Sequence, residues 1–269
     1  MTSFASQETE QHLGWSSARR SLWYHFAFYA QTWRGSVISS FLFPVLYLGS
    51  MGLGVGHLVS NHTGLIEGRT YLQFVAPGLL AITAMQIAGG ECMWPILGGV
   101  KWGRQYHAAM TTPLEPEDLV LGKLGFVGIR MFFTALVYTA VIACFGGLAS
   151  WWSLVLPMVG VLTGLAFAAP LMAYSSTLES DAPFALVQRF LIVPMFLFSA
   201  TFYPLNQYPA VLRPVAQLMP LYHGVALCRS AATGHGAPWA VLAHVVTLLA
   251  LACGGFIMAR RTLRKRLIV

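Results

Sequence analysis

Glu91 and Arg130 are the ionisable residues that stand out inside apolar sequence, in the neighbouring stretches 71–94 and 119–148. A lone charge in lipid costs at least ~2.5 kcal/mol on insertion scales, so each needs a partner or access to water. Both lie towards the same side of their stretches, which makes them candidates for an ion pair. Such a pair either clamps two helices together or takes part in transport, and the sequence leaves both readings open. His223 and His244 are isolated and read as packing or interface residues. Elsewhere the informative chemistry is what the sequence lacks. Its three lysines, Lys101, Lys123 and Lys265, are followed by Trp, Leu and Arg, so no P-loop exists. There is no His-Glu-x-x-His zinc pattern and no Gly-x-Ser-x-Gly nucleophile elbow. The four cysteines show no metal-ligand spacing and read as small buried hydrophobes. The sequence thus presents neither a catalytic set nor a metal site.

The elements that must carry these residues are membrane helices. Hydrophobic residues make up 57% of the chain and charged ones 9%, against about 25% charged in soluble domains. The net charge of +7 does not point to nucleic acid, because no basic patch with interleaved aromatics lies outside the apolar segments. Instead Arg260, Arg261, Arg264, Lys265 and Arg266 follow the last apolar segment directly, as at the cytoplasmic end of a span. The expected fold is an all-α integral membrane protein with one domain over 1–269. Six transmembrane helices are expected, at about 37–58, 71–94, 119–148, 154–176, 184–203 and 239–259. Residues 1–15 are expected to be loose. Residues 16–34 form a basic helix with Leu22, Trp23, Phe26, Tyr29, Ala30 and Trp33 at helical spacing, the signature of an interfacial helix. Six spans put both termini on one side, which then receives thirteen Lys and Arg against three (Arg69, Arg213 and Arg229) on the other. Both termini are therefore expected in the cytoplasm.

Two segments stand out from this frame. Residues 101–112 carry Trp102, Arg104, Gln105, Tyr106, His107 and Met110 before the stop Thr111-Thr112-Pro113. Large anchors on a short amphipathic helix suit a protein-docking knob; an interfacial helix resting on headgroups is the other reading. Residues 194–229 remain apolar while Pro204, Pro209, Pro214 and Pro220 interrupt them. Four prolines at that spacing cannot share one straight spanning helix. Short helices that dip into the membrane surface on the outer side, over 204–229, satisfy both constraints. Phe196, Phe198, Phe202, Tyr203 and Tyr222 are candidates for the lining of a pathway or outer gate there, with plain packing as the alternative.

These pieces carry a family resemblance. PVLYLGSMGLGVG at 44–56, YLQFVAPGLLAITAM at 71–85, Glu91 ending span two and YHAAMTTPLEPEDLVLGK at 106–123 belong to it. So do TGLAFAAPL at 163–171 and FLFSATFYPLNQYPAVLRPVAQLMPLYHGVALCR at 196–229, all in family order. The chain resembles the permease subunit of ABC-2 type transporters, in the branch of nodulation-factor (lipo-oligosaccharide) and daunorubicin-resistance exporters.

The resemblance implies a half-transporter in a bacterial cytoplasmic (inner) membrane that pairs with a second permease copy, most simply as a homodimer. It implies two copies of a separate ABC ATPase, which would use ATP and Mg, while this chain binds no cofactor itself. The 101–112 helix would be the coupling helix, 16–34 the interfacial elbow and 204–229 the outer re-entrant helices. The cargo class implied is an amphiphile such as a glycolipid, a lipo-oligosaccharide or a hydrophobic drug. Two other classes compete. A secondary transporter would work without an ATPase and respond to an ion gradient. An intramembrane lipid-modifying enzyme would need a polar catalytic cluster within the membrane.

Overall fold

The apolar periodicity of the long segments produces a bundle of helices. The computed structural model describes residues 3–50, 54, 66, 68–148 and 150–268. In chain order the helices are α1 (Ser3–Gly49), α2 (Tyr71–Cys92), α3 (Trp94–Leu97), α4 (Gln105–Ala109), α5 (Pro116–Cys144) and α6 (Leu156–Ser175). They continue as α7 (Ala182–Val187), α8 (Val193–Phe198), α9 (Leu212–Leu218), α10 (Pro220–Thr233) and α11 (Pro238–Ile268). Two π turns, Gly98–Trp102 and Gln188–Ile192, prolong α3 and join α7 to α8. Among the described residues the only extended pairing is a single bridge between Ile66 and Arg69.

Four helical rods are long and apolar enough to cross a bilayer: Tyr71–Trp102, Pro116–Cys144, Trp151–Ser175 and Pro238–Ile268. The chain is therefore a multi-pass membrane protein. Of the six expected spans, the fifth corresponds to Ala182–Phe198, which is apolar but falls in the 10–17-residue class. The first falls on the end of α1 and on residues 51–53 and 55–58, outside the described residues. Residues 3–34, expected as a loose stretch followed by a separate interfacial helix, instead run without a break into the start of span one. No proline precedes Pro44 to stop that helix.

The ends of the rods follow from local chemistry. Thr70 and Gln73 form a reciprocal capping box at the start of α2, and Glu115 with Asp118 does the same for α5. Pro116 and Pro220 sit at the first turn of α5 and α10, where no intrahelical N–H is lost. The four prolines of 204–220 accordingly break the chain into the short helix α9 and the 14-residue α10.

Helix α6 is apolar all round and lies at the centre, packed against α11, α5, α2 and α10. Small residues make this closeness possible, as expected where lipid offers no hydrophobic drive for association. Along α11, Leu248, Gly255, Ala259 and Leu263 form the buried stripe. A Cβ on Gly255 would come within 2.5 Å of the backbone N of Pro170 on α6, whereas one on the adjacent Gly254 would meet nothing within 4 Å. Inserting a large side chain into such a contact costs about 1–3 kcal/mol or more. Gly255→Leu is therefore expected to lower the thermal unfolding midpoint of the detergent-purified protein by several degrees, while Gly254→Leu leaves it within about one degree. Equal midpoints for the two variants would show that α11 does not seat on Pro170.

Candidate functional site

A charge cluster is built where α2, α5 and α1 meet. Glu91 lies in the last turn of α2, and Lys123 and Arg130 lie seven residues apart on α5. Seven residues are close to two helical turns, so both cations point the same way. Lys123 Nζ donates to Glu91 Oε2 at 2.6 Å, and Arg130 Nη1 donates to Glu91 Oε1. The three side chains are only 16%, 5% and 18% exposed, respectively. The expected Glu91–Arg130 pair is thus present, and Lys123 joins it.

Helix α1 roofs the cluster with aromatic rings. Lys123 Nζ lies 5.2 Å from the Phe126 ring centroid and Arg130 Cζ 5.3 Å from that of Tyr29, within cation–π range. Phe26 and Tyr29 meet Phe126 edge-on, with His25 beside them. The face of α1 that packs inward carries Ser17, Ser21, Leu22, Phe26 and Tyr29. Trp23 and Trp33, expected on that same face, point outward and are 74% and 46% exposed. The helices approach so closely that a Cβ on Gly122 of α5 would stand 2.9 Å from the backbone N of Leu22.

Beyond Glu91 the α2 rod breaks at Met93 and runs through α3 and the Gly98–Trp102 π turn into the knob. Arg104, at φ 49°, reverses the chain before α4. Trp102 is 60% exposed, and Arg104, Gln105 and His107 are exposed with it. Tyr106 departs from the expected docking set: it is buried against Gly99, where a Cβ would leave no room for its ring. Burial also pushes its phenol above the ordinary range. Met110 is half-buried against the core. Tyr106 and Met110 therefore root the knob, and the other four residues present it.

The knob is tethered laterally as well. Lys101 Nζ donates to both the carboxylate and the carbonyl of Glu179, each at 2.6 Å, and Arg266 pairs with the other carboxylate oxygen at 2.7 Å. The hydrogen bond from Lys101, reinforced by Arg266, holds the Glu179 carboxyl below its usual range. Arg260 pairs with Glu117 nearby. Pairs at the surface contribute little stability, but these join the knob, the 176–181 connector and the end of α11.

At the opposite end of the bundle the five predicted aromatics do not form one lining. Phe196 and Phe202 pair edge-on at 5.3 Å and are half-buried. Phe198 and Tyr203 are exposed. Tyr222 stands apart, packed edge-on to His223 and His244. Those two histidines, which read as isolated in sequence, are joined by an Nδ1–Nδ1 hydrogen bond of 2.7 Å between α10 and α11. Arg229 also escaped sequence reasoning. Its guanidinium lies 3.7 Å over the Phe74 ring and donates to the carbonyls of Phe74, Ala200 and Thr201. No local spacing announces contacts across 155 residues. Among the described residues no group of three or more His, Cys, Asp or Glu could hold a metal ion.

The sequence pattern of the ABC-2 type transporter family matches residues 18–233. Nodulation protein J of Bradyrhizobium diazoefficiens is 31% identical over 244 residues, covering 88% of this chain and 90% of that protein. Nodulation protein J of Rhizobium leguminosarum bv. viciae is 29% identical over 235 residues, covering 86% and 88%. The inner membrane transport permease YadH of Escherichia coli is 23% identical over 182 residues, covering 67% and 70%. The chain belongs to the ABC-2 type transporter family.

The charge cluster makes an ordered prediction about stability. Removing one partner of a buried pair costs about 3–5 kcal/mol because it strands the other charge. Glu91→Gln strands two cations, whereas Lys123→Met leaves a balanced Glu91–Arg130 pair. Thermal unfolding should show the larger loss for Glu91→Gln, and the reverse order would show that the three residues do not balance as a unit.

Proposed function

We propose that this chain is the membrane-spanning subunit of an ATP-driven exporter. It moves an amphiphilic or lipid-linked molecule (a glycolipid, a lipo-oligosaccharide or a hydrophobic drug) from the inner leaflet or the cytoplasm outward. ATP hydrolysis belongs to a separate ABC ATPase, present in two copies, and two permease chains form the pathway as a homodimer. The observation that carries this reading is the knob. A rod rooted in the bundle ends in an exposed Trp-Gly-Arg-Gln turn held by a buried Tyr106 and by ion pairs to α11. Exposed Trp and Arg on a preorganised turn are what a protein partner binds most strongly. The relationship to an inner membrane transport permease agrees with a transport role.

In this reading the chain crosses the bacterial cytoplasmic membrane six times with both termini in the cytoplasm, as the thirteen-to-three division of Lys and Arg supports. Span one is assigned to about 37–58 from the apolar sequence. Span five is Ala182–Phe198, about 25 Å long at ~1.5 Å per residue, close to a hydrocarbon core of about 30 Å. The knob is then cytoplasmic, residues 204–229 form the outer re-entrant cap, and α1 upstream of residue 35 lies in the inner interface. ATP-driven closure of the partner subunits pushes Trp102 and Arg104. The push travels along the α2 rod to Glu91, and from there to α5 and α1.

Two measurements test this on the complex with its ATPase reconstituted in proteoliposomes. Trp102→Ala with Arg104→Ala is expected to leave folded permease and ATP hydrolysis in place while export falls at least tenfold; unchanged export in the double variant would remove the docking assignment. At the outer cap, Phe198→Ala and Tyr203→Ala should alter selectivity among cargoes if these exposed rings touch them. A uniform loss of folded protein would instead mark them as packing.

A further inference from the structure

Helix α11 is two-faced along its length. Leu248, Gly255, Ala259 and Leu263 are buried against the bundle, and the same face ends in Arg266, held by Glu179 and the Thr177 carbonyl. The hydroxyls of Thr262 and Ser176 lie 2.7 Å apart beside it. On the opposite face Val246, Ala250, Ile257, Arg261, Arg264 and Ile268 recur at steps of three, four or seven residues, and all are exposed. One stripe therefore begins as a hydrocarbon surface and ends in two guanidinium groups, with Lys265 exposed on its flank.

Length places that change of character at a particular depth. Trp239, exposed at the start of α11, stands 22 residues before Arg261, about 33 Å at ~1.5 Å per residue. A hydrocarbon core is about 30 Å thick, and aromatic residues are favoured at its edges. With Trp239 at one edge, Arg261 lies just past the other, and Arg264 about 4.5 Å further, at the level of lipid phosphates. The cations of this stripe are also unspent. Among the described residues, the carboxylates that reach α11 are Glu117 and Glu179, which pair with Arg260 and Arg266. Arg261, Arg264 and Lys265 have no ion-pair partner there. A second copy of the chain is a poor cover for this face. Around a two-fold axis along the membrane normal, residues at one depth meet their own copies, so Arg261 and Arg264 would face like charge.

We propose that this face of α11 binds an anionic phospholipid such as phosphatidylglycerol. Arg261 and Arg264 hold its phosphate, and its acyl chains lie along Val246, Ala250 and Ile257. Guanidinium groups match phosphate in geometry as well as charge, and each basic side chain beside an anionic lipid surface adds to the attraction. Because the buried face of the same helix end is seated by Leu263 and tied by Arg266, the two guanidinium groups are presented at a fixed spacing. The site requires only that α11 crosses the membrane, so it does not depend on the export reading.

The full-length chain, purified in neutral detergent, is titrated with phosphatidylglycerol or with phosphatidylcholine of the same acyl chains, and bound lipid is counted by native mass spectrometry. Phosphatidylglycerol is expected to saturate at a concentration at least tenfold lower than phosphatidylcholine. The double variant Arg261→Gln with Arg264→Gln should lose that preference. Arg19→Gln with Arg20→Gln, which removes the same charge from exposed residues of α1, should keep it. All four side chains are exposed, so both double variants should retain the parent unfolding midpoint, and Arg264→Gln alone should weaken phosphatidylglycerol binding at least threefold. Equal saturation by the two lipids, or a full preference in the folded Arg261→Gln, Arg264→Gln variant, would overturn the proposal. So would an equal loss in the α1 variant, which marks general charge, or displacement of phosphatidylglycerol by an equal concentration of inorganic phosphate, which marks a free-anion site.

Discussion

The carboxylate of Glu91, shared between Lys123 and Arg130, is the contact on which the arrangement of the first half of the chain depends. An isolated charge in such apolar surroundings would be expelled or neutralised, and a single pair would still bear most of its desolvation cost. Here one carboxylate satisfies two cations, and the rings of Phe126 on α5 and Tyr29 on α1 cover what remains of their positive charge. Three helices that share no continuous sequence are locked in one relative register. Because α1 supplies the roof, its long amphipathic surface stays attached to the bundle even where Trp23, Tyr24 and Phe28 face outward.

From that lock the chain extends in two directions. Towards the knob, α2 passes Glu91, breaks at Met93 and ends in Trp102, so any force on the knob arrives at the ion cluster within three helical turns. Towards the centre, α5 leans on α6, and α6 carries α11, α2 and α10 through contacts that only small side chains permit. Lys101, Glu179 and Arg266 close the circuit from knob to α11. The exposed ion pairs of this circuit are weak as stabilisers, but they set which elements lie beside the knob.

Much of this was legible in the residues. A charged pair in apolar sequence is expensive enough to be noticed, and Glu91 and Arg130 do meet. Lys123 is less legible as a partner because, near the start of its helix, it reads equally well as a charge at the membrane edge; only its seven-residue spacing from Arg130 hints at a shared face. The four prolines of 204–220 force short helices because they recur every five or six residues, whereas Pro77 and Pro170, each alone, stay inside long helices. Tyr106 is less legible: it stands between polar Gln105 and His107 on a short helix, and the close approach of Gly99 that accommodates its ring is a tertiary fact. The same holds for the His223–His244 contact and for Arg229, whose partners lie on other elements. The aromatics from Phe196 to Tyr222 share a composition but not a place: Phe196 and Phe202 pair across the left-handed turn at Ala200, Phe198 and Tyr203 face outward, and Tyr222 sits on α10 against two histidines.

The π turns at Gly98–Trp102 and Gln188–Ile192 carry a last consequence. A π turn holds one residue more than an α turn, and drawing that residue back into the α ladder rotates everything beyond it by about 100° and shifts it by ~1.5 Å. The direction in which Trp102 faces therefore depends on a count of residues, and the contacts around the turn hold that count: Tyr106 is seated on Gly99 and Lys101 is paired with Glu179. The rod ends as a screw whose last thread differs in pitch from the rest and is pinned at that setting.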